Sequence, residues 1–184
     1  MASFGQTHSR PRDAFQSIIV SLYKFALVLT VHEELARALL RSTSKGLNLR
    51  KGFAGDERDH LIECLRRMYA LWIAKLSEDP NTQKRCQPDP RLFGALLPKG
   101  EALAGNAHFA KFVANMSSSQ RAALYLVYGE GASYDEAAEV TALDMLSLMK
   151  LLARGHVALS QWLDHRGLSE EYESDASPGR ERAA

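Results

Sequence analysis

The stretch GEGASYDEAAEVTALDMLSLMKLLARGH, residues Gly129–His156, decides the fold of this chain. Ser133 and Glu136 form the S-x-x-E pattern of a capping box, which predicts the start of a short helix. Asp144 is a good N-cap for a longer helix that is expected to end near Gly167. Two helices joined by so short a turn are typical of a helix-turn-helix.

The rest of the chain also has the periodicity of helices. Apolar residues recur at intervals of three and four, and glycines, prolines and capping residues separate the periodic segments. No segment has the alternating pattern of a strand. The sequence therefore predicts an all-α fold, with further helices at about 15–29, 33–44, 56–77, 108–115 and 117–129.

Prolines and glycines divide the helices into two groups. Residues 79–106 contain four of the six prolines and read as a linker. We therefore predict two small helical domains, a Pro/Gly-rich connection and two polar ends. The expected bounds are a flexible N-terminus at 1–14, a first domain at 15–78, a linker at 79–107, a helix-turn-helix domain at 108–166 and a disordered acidic tail at 167–184.

Composition excludes several classes of function. No apolar run approaches the roughly 20 residues of a membrane span, and the N-terminus lacks the pattern of a secretory signal. The only cysteines, Cys64 and Cys86, are expected to be a buried thiol and a free one, which favours the cytoplasm. The six histidines show no metal-ligand spacing and no serine has a catalytic partner. We expect no enzyme activity, no metal and no cofactor.

Charge is distributed unevenly although the net charge is only +1. Residues 15–76 hold ten Lys/Arg and six Asp/Glu, a net charge of +4. Residues 117–164 hold three Lys/Arg and six acids, a net charge of −3. A helix-turn-helix domain that binds DNA by itself is expected to carry the basic patch, and here the basic half precedes it.

The layout resembles the extracytoplasmic function (ECF) sigma factors of bacterial RNA polymerase, which have helical regions 2 and 4 joined by a variable linker. Region 4 is matched by Gln120–Arg121, Ala123–Leu124, Gly131, Ser133–Tyr134 and Glu136–Glu139. Region 2 is matched more weakly, by SLYKFALVLTVHEELARALLRSTSKGLN and HLIECLRRMYALWIAKL. The lead-in HFAKFVANM and the string SYDEAAE resemble the general-stress-response branch, which also contains sigma-like decoys for an anti-sigma factor.

The resemblance implies contacts through two helices of the first domain. The helix at 33–44 would bind core RNA polymerase or another partner through Glu33, Glu34, Leu35 and Leu39. The helix at 56–77 would contact the −10 promoter element through Arg66, Arg67, Tyr69 and Lys75. A basic surface with aromatic residues suits single-stranded DNA, although a solvated face with a core Trp72 is the alternative.

The recognition helix departs from the family pattern, because Met149 and Leu151 stand where a lysine and an arginine are usual. A helical wheel places Met145, Leu148, Leu152, Gly155 and Leu159 on the core side. Candidate DNA contacts, Ser147, Lys150 and Arg154, lie opposite. So few cations predict weak DNA binding by this domain alone. Leu146 and Leu151 flank the outward face, where they suit a partner helix; Met149 and Leu151 could equally be core residues.

Two functions follow from these patterns. The first is an ECF sigma factor that directs core RNA polymerase to promoter DNA in the cytoplasm, with a stress-response role. The second is a sigma-like interaction module or decoy, which binds an anti-sigma factor and has little or no DNA binding.

Overall fold

The N-terminal half of the molecule consists of three helices. The structure, a computed structural model, describes residues 11–46, 56–82 and 112–175. Helix α1 spans Pro11–Thr30, α2 spans Glu33–Gly46 and α3 spans Glu57–Glu78. Asp56 begins α3, because its carboxylate accepts a hydrogen bond from the backbone N–H of Arg58 at 3.1 Å.

The C-terminal half begins with one helical turn at 112–115. Helix α4 spans Ser118–Leu124 and continues as a π-helical turn, Tyr125–Gly129. Helix α5 spans Tyr134–Thr141 and α6 spans Met145–Asp175. All described elements are helical, which confirms the predicted fold class.

The helix boundaries differ from the predicted ones at two ends of the chain. Helix α1 begins at Pro11, inside the segment that was expected to be flexible. Helix α6 continues to Asp175, past its expected end near Gly167, so 167–175 are helical rather than part of a disordered tail. The remaining parts of the predicted N-terminus, linker and tail lie outside the described residues.

Helix α5 starts as the capping pattern predicts and ends in a sharp turn. The Ser133 hydroxyl accepts from the N–H of Glu136, whose carboxylate accepts in return from the N–H of Ser133. Helix α5 ends at Ala142, which has a left-handed φ of 52°, and Leu143 then donates to the carbonyl of Ala138 at 3.1 Å. This C-cap geometry turns the chain sharply into α6.

The two halves share one hydrophobic core. Phe25 at the centre of α1 stacks on Tyr125, with ring centroids 5.8 Å apart. Trp72 of α3 is 0% exposed, which confirms its interpretation as a core residue. The other large, fully buried core residues come from both halves and are Ile18, Leu22, Leu29, Leu65, Met68, Leu126, Val140 and Leu148. Helix α1 therefore packs directly against α4, and α3 packs directly against α5.

A second, smaller cluster surrounds the junction between α1 and α2. Val31 packs there with Val113, and half-buried Phe112 stacks on Trp162 of α6 at 5.7 Å. Val31 has a φ of 55°, a left-handed conformation that costs a β-branched residue on the order of 1–2 kcal/mol. The packing of its buried side chain against the C-terminal half stabilises that conformation.

Candidate interaction sites

A buried arginine links the two halves. Arg121 of α4 is 1% exposed and donates hydrogen bonds to the carbonyls of Val28 and Leu29, both at 2.7 Å, and of Met116 at 2.5 Å. The first two carbonyls belong to the last turn of α1, where the helix itself supplies no donors. Removal from water lowers the pKa of Arg121 to about 10, which leaves it charged at neutral pH. Arg121 therefore caps α1 from the other half of the molecule.

An ion pair joins the start of α3 to the start of α5. Arg58 contacts both carboxylate oxygens of Glu136, with Nε–Oε1 at 2.7 Å and an η nitrogen to Oε2 at 2.9 Å. These hydrogen bonds from Arg58, together with the one from Ser133, lower the pKa of Glu136 to about 2. The residue that closes the capping box thus also binds the N-terminal half.

Two further hydrogen bonds connect the halves, and Tyr125 of the C-terminal half supports one of them. The hydroxyls of Tyr69 and Ser119 are 2.9 Å apart, and the hydroxyl of Ser21 donates to Glu130 at 3.1 Å. Tyr125 donates to the same carboxylate at 3.0 Å. Burial and the charge of Glu130 raise the pKa of Tyr125, so its phenol remains a donor.

The predicted promoter contacts on α3 do not share one environment. Arg66, Arg67 and Lys75 are exposed, although Arg66 is paired with Glu63 one turn earlier. Tyr69 is only 6% exposed, and its hydroxyl is bonded to Ser119. In this structure its ring is buried and its hydroxyl is held by the C-terminal half, so it cannot stack on a base in this packing.

The predicted partner contacts on α2 surround a groove. Glu34 is exposed, whereas Glu33 bonds Arg37 and accepts from the hydroxyl of Tyr23. Leu35 is half-buried and Leu39 is 6% exposed. These two leucines line a groove of about 350 Å³ between α2 and α3, whose other wall includes Leu71, Trp72 and Lys75.

The start of α6 uses its polar groups internally. The carboxylate of Asp144 accepts from the hydroxyl of Ser147 at 2.6 Å and from its N–H at 2.9 Å. These hydrogen bonds lower the pKa of Asp144. Ser147, a candidate for base contact, therefore has its hydroxyl proton engaged, and an ionised carboxylate lies at the end of the helix that would enter a groove.

The outward side of α6 carries exposed apolar residues. Leu146 is 62% exposed, Met149 is 53% exposed and Val157 is 57% exposed, beside exposed Lys150 and Arg154. The sequence left open whether Met149 and Leu151 are core residues. Met149 lies on the surface, whereas Leu151 is half-buried against the core.

The core side of α6 follows the helical wheel with one exception. Leu148 and Leu152 are buried, and a Cβ on Gly155 would lie 2.9 Å from Leu124, so glycine permits the close approach of α4 and α6. Met145, expected on the core side, is 37% exposed because it lies in the first turn, at the edge of the packed region.

Sequence reasoning did not find the contacts between the halves. It placed Arg121 in the family match and Glu136 in the family match and the capping box, and it gave neither residue a partner in the N-terminal half. Their partners are distant in the sequence, and local periodicity carries no information about such pairs. The match of Arg121 and Glu136 to the family string was the available signal.

The described part of the chain has no candidate metal centre and no candidate membrane span. Within residues 11–46, 56–82 and 112–175, no three His, Cys, Asp or Glu side chains cluster as metal ligands. No described helix is both long enough and apolar enough to span a bilayer. Cys64 is a buried free thiol, and burial raises its pKa.

The comparisons with known proteins define the class of fold. No family model matches the sequence, and no curated protein matches it. The structure is similar to that of the sigma factor RpoE in its co-crystal structure with the anti-sigma factor NepR from Bartonella quintana, with a TM-score of 0.56 and 16% sequence identity. The match covers 83% of this chain and 96% of the other. At this identity the likeness establishes a sigma-factor-like fold.

Proposed function

We propose that this protein is an ECF sigma factor that binds core RNA polymerase and directs it to promoters in the cytoplasm. One observation carries the proposal: the sigma-like fold extends over both halves, with 83% of this chain and 96% of RpoE covered. Arg121 and Glu136 of the family string also make polar contacts between the two halves, so the sequence resemblance and the structure support each other.

The polymerase contact in this proposal is the exposed side of α2. Glu34 lies in its first turn, where a carboxylate is stabilised by the helix dipole and remains open to a basic partner. The groove beside Leu35 and Leu39 is an adjoining apolar pocket for a partner side chain. Acidic and apolar groups side by side are the composition expected of a protein-protein contact.

The promoter contact is divided between α3 and α6. Arg67 and Lys75 offer exposed cations on α3, and Lys150 and Arg154 offer two on α6. Each phosphate contact releases condensed counterions, so four cations give binding that weakens steeply with salt. Because Tyr69 is covered by Ser119, stacking on a promoter base requires the two halves to separate.

The first test is co-elution of the purified chain with bacterial core RNA polymerase on a sizing column. We expect a complex that Glu34→Arg weakens, because the substitution reverses an exposed charge on α2. Glu139→Arg on α5 is the matched control, since it makes the same change on another exposed helix. A folded wild-type chain that does not co-elute would exclude the sigma-factor function.

A second candidate function is a sigma-like interaction module, such as a decoy of the general-stress-response type, that binds an anti-sigma factor without initiating transcription. The exposed apolar residues of α6 favour it, because the matching surface of a DNA reader is polar and basic. RpoE, the structural neighbour, is itself seen with an anti-sigma factor. Failure to bind polymerase together with binding of a purified anti-sigma factor would select this function.

A further inference from the structure

The outward face of α6 is a continuous surface rather than a set of scattered residues. Leu146, Met149, Ala153 and Val157 are all exposed and are separated by three or four residues, so they lie along one side of the helix. We refer to these four residues as the apolar strip. Lys150 and Arg154 are exposed one turn apart along one edge of the strip.

Packing on the opposite side fixes the rotation of α6 and keeps the strip outward. Leu148 and Leu152 are buried in the core, and Gly155 lies against Leu124. His156 also contacts the π-helical turn that follows α4, since its Nε2 is 2.7 Å from the hydroxyl of Tyr128. The apolar strip cannot turn inward without breaking these contacts, so water covers it unless a partner does.

The chemistry of this face disfavours DNA. Ser147 donates its hydroxyl proton to Asp144, and Met145 and Leu146 occupy the rest of the first turn. Base readout uses Arg, Lys, Asn or Gln at that end of the helix. The strip instead has the spacing of the apolar seam that helices use to pair.

Charge determines which kind of helix would fit. Among the residues that the structure describes, Lys150 and Arg154 make no ion pair. The nearest acid along the chain, Asp144, is engaged in capping, and Glu136 is paired with Arg58. The other exposed acids of this half whose side chains the structure describes are Asp135 and Glu139 on α5 and Asp164 on α6. The two cations beside the strip thus remain open to negative charge.

We propose that the apolar strip of α6 is the docking site for an amphipathic helix of a partner protein, with apolar side chains against the strip and carboxylates against Lys150 and Arg154. This deepens the second candidate function, because it states the chemistry of the partner. It is also compatible with a sigma factor whose recognition helix is covered by a protein.

The test uses two synthetic amphipathic peptides and the full chain. One peptide carries leucines on one face with glutamates beside them, and the other has lysines in place of the glutamates. NMR titration to millimolar peptide should detect binding of the glutamate peptide with shifts on α6, and binding of the lysine peptide should be about tenfold weaker. Reversing both charges, with Lys150→Glu and Arg154→Glu, should invert that preference.

Substitutions in the strip separate docking from a general attraction of charges. Leu146→Ser with Met149→Ser, which leaves the charge unchanged, should abolish binding of both peptides, whereas Val20→Ser should not change it. Val20 is the matched control because it is 46% exposed on α1. Absence of binding, equal binding of both peptides, or binding insensitive to the strip would overturn the proposal.

Two further outcomes would assign the surface to another occupant and so also overturn the proposal. One is a concentration-dependent dimer of the chain, measured by sedimentation, that Leu146→Glu removes. The other is displacement of the glutamate peptide by double-stranded DNA that binds through Lys150 and Arg154. Co-elution with polymerase is measured on the same variants, so that loss of the sigma-factor function and loss of helix docking are scored separately.

Discussion

The inner and outer sides of the C-terminal half use cations and apolar residues in opposite ways. On the inner side, Arg121 is buried with its donors on carbonyls of α1 and of the preceding turn. On the outer side of α6, Arg154 is exposed on the same side of the helix as the exposed residues Leu146 and Val157. The buried Arg121 stabilises the packing of the two halves. The exposed residues of α6 contribute little to folding and are available for binding.

The largest expected difference between the two sides is the effect of losing an arginine. Arg121→Met keeps apolar volume but leaves carbonyls of α1 without donors, and we expect the free energy of unfolding to fall by about 3 kcal/mol. The matched change Arg154→Met on the outer face should alter it by less than about 0.5 kcal/mol. Urea unfolding followed by circular dichroism measures both. Equal effects would mean that Arg121 does not link the halves.

The Arg58–Glu136 pair gives the inner side a dependence on pH. Glu136→Gln keeps a capping-box residue but loses the charge, and we expect a cost of about 1 kcal/mol at pH 7 for this partly exposed pair. Because the folded pKa of Glu136 is lowered to about 2, its contribution is complete above the unfolded pKa of about 4.3.

That contribution should decline as the pH falls from about 5 toward 2. The stabilities of wild type and Glu136→Gln should therefore converge over this range, and urea unfolding at a series of pH values measures the difference. A difference that stays constant down to pH 2 would contradict the role of the ion pair.

A smaller effect is expected at the hydrogen bond that covers Tyr69. Tyr69→Phe removes only the hydroxyl bonded to Ser119 and should lower the free energy of unfolding by about 0.5 to 1 kcal/mol. Ser119→Ala should cost a similar amount, and the double variant should cost no more than either alone. Additive costs in this double-mutant cycle would show that the two hydroxyls do not interact.

The smallest effect is expected on the outer face. Leu146→Glu replaces a side chain that is 62% exposed, so little apolar burial is lost. The new carboxylate lies in the first turn of α6, where the helix dipole favours it, and stability should change by less than about 0.5 kcal/mol. A loss well above this value, measured by thermal unfolding, would mean that Leu146 belongs to the core and would remove the basis of the comparison.

Local patterns in the sequence were sufficient for most of the fold. The capping box of α5, the turn after α5 and the core face of α6 follow from residue types and helical spacing, because these features depend on neighbours within one or two turns. The ends of α1 and α6 were less predictable, since polar residues in long helices carry weak boundary signals. For the site, the sequence predicted contacts on α2, α3 and α6, and these stay predictions; it did not specify the environment of each residue.

The sequence by itself therefore determined that the described part of the chain is helical, that a tight turn separates α5 from α6, and that the outward face of α6 is poor in cations. Only the tertiary structure decided that Tyr69 is covered, that Leu151 packs inward while Met149 faces outward, and that Arg121 caps a helix far away in the chain. The reason is that the burial of a side chain depends on which helices pack against each other, and residue type and spacing along the sequence do not specify that packing.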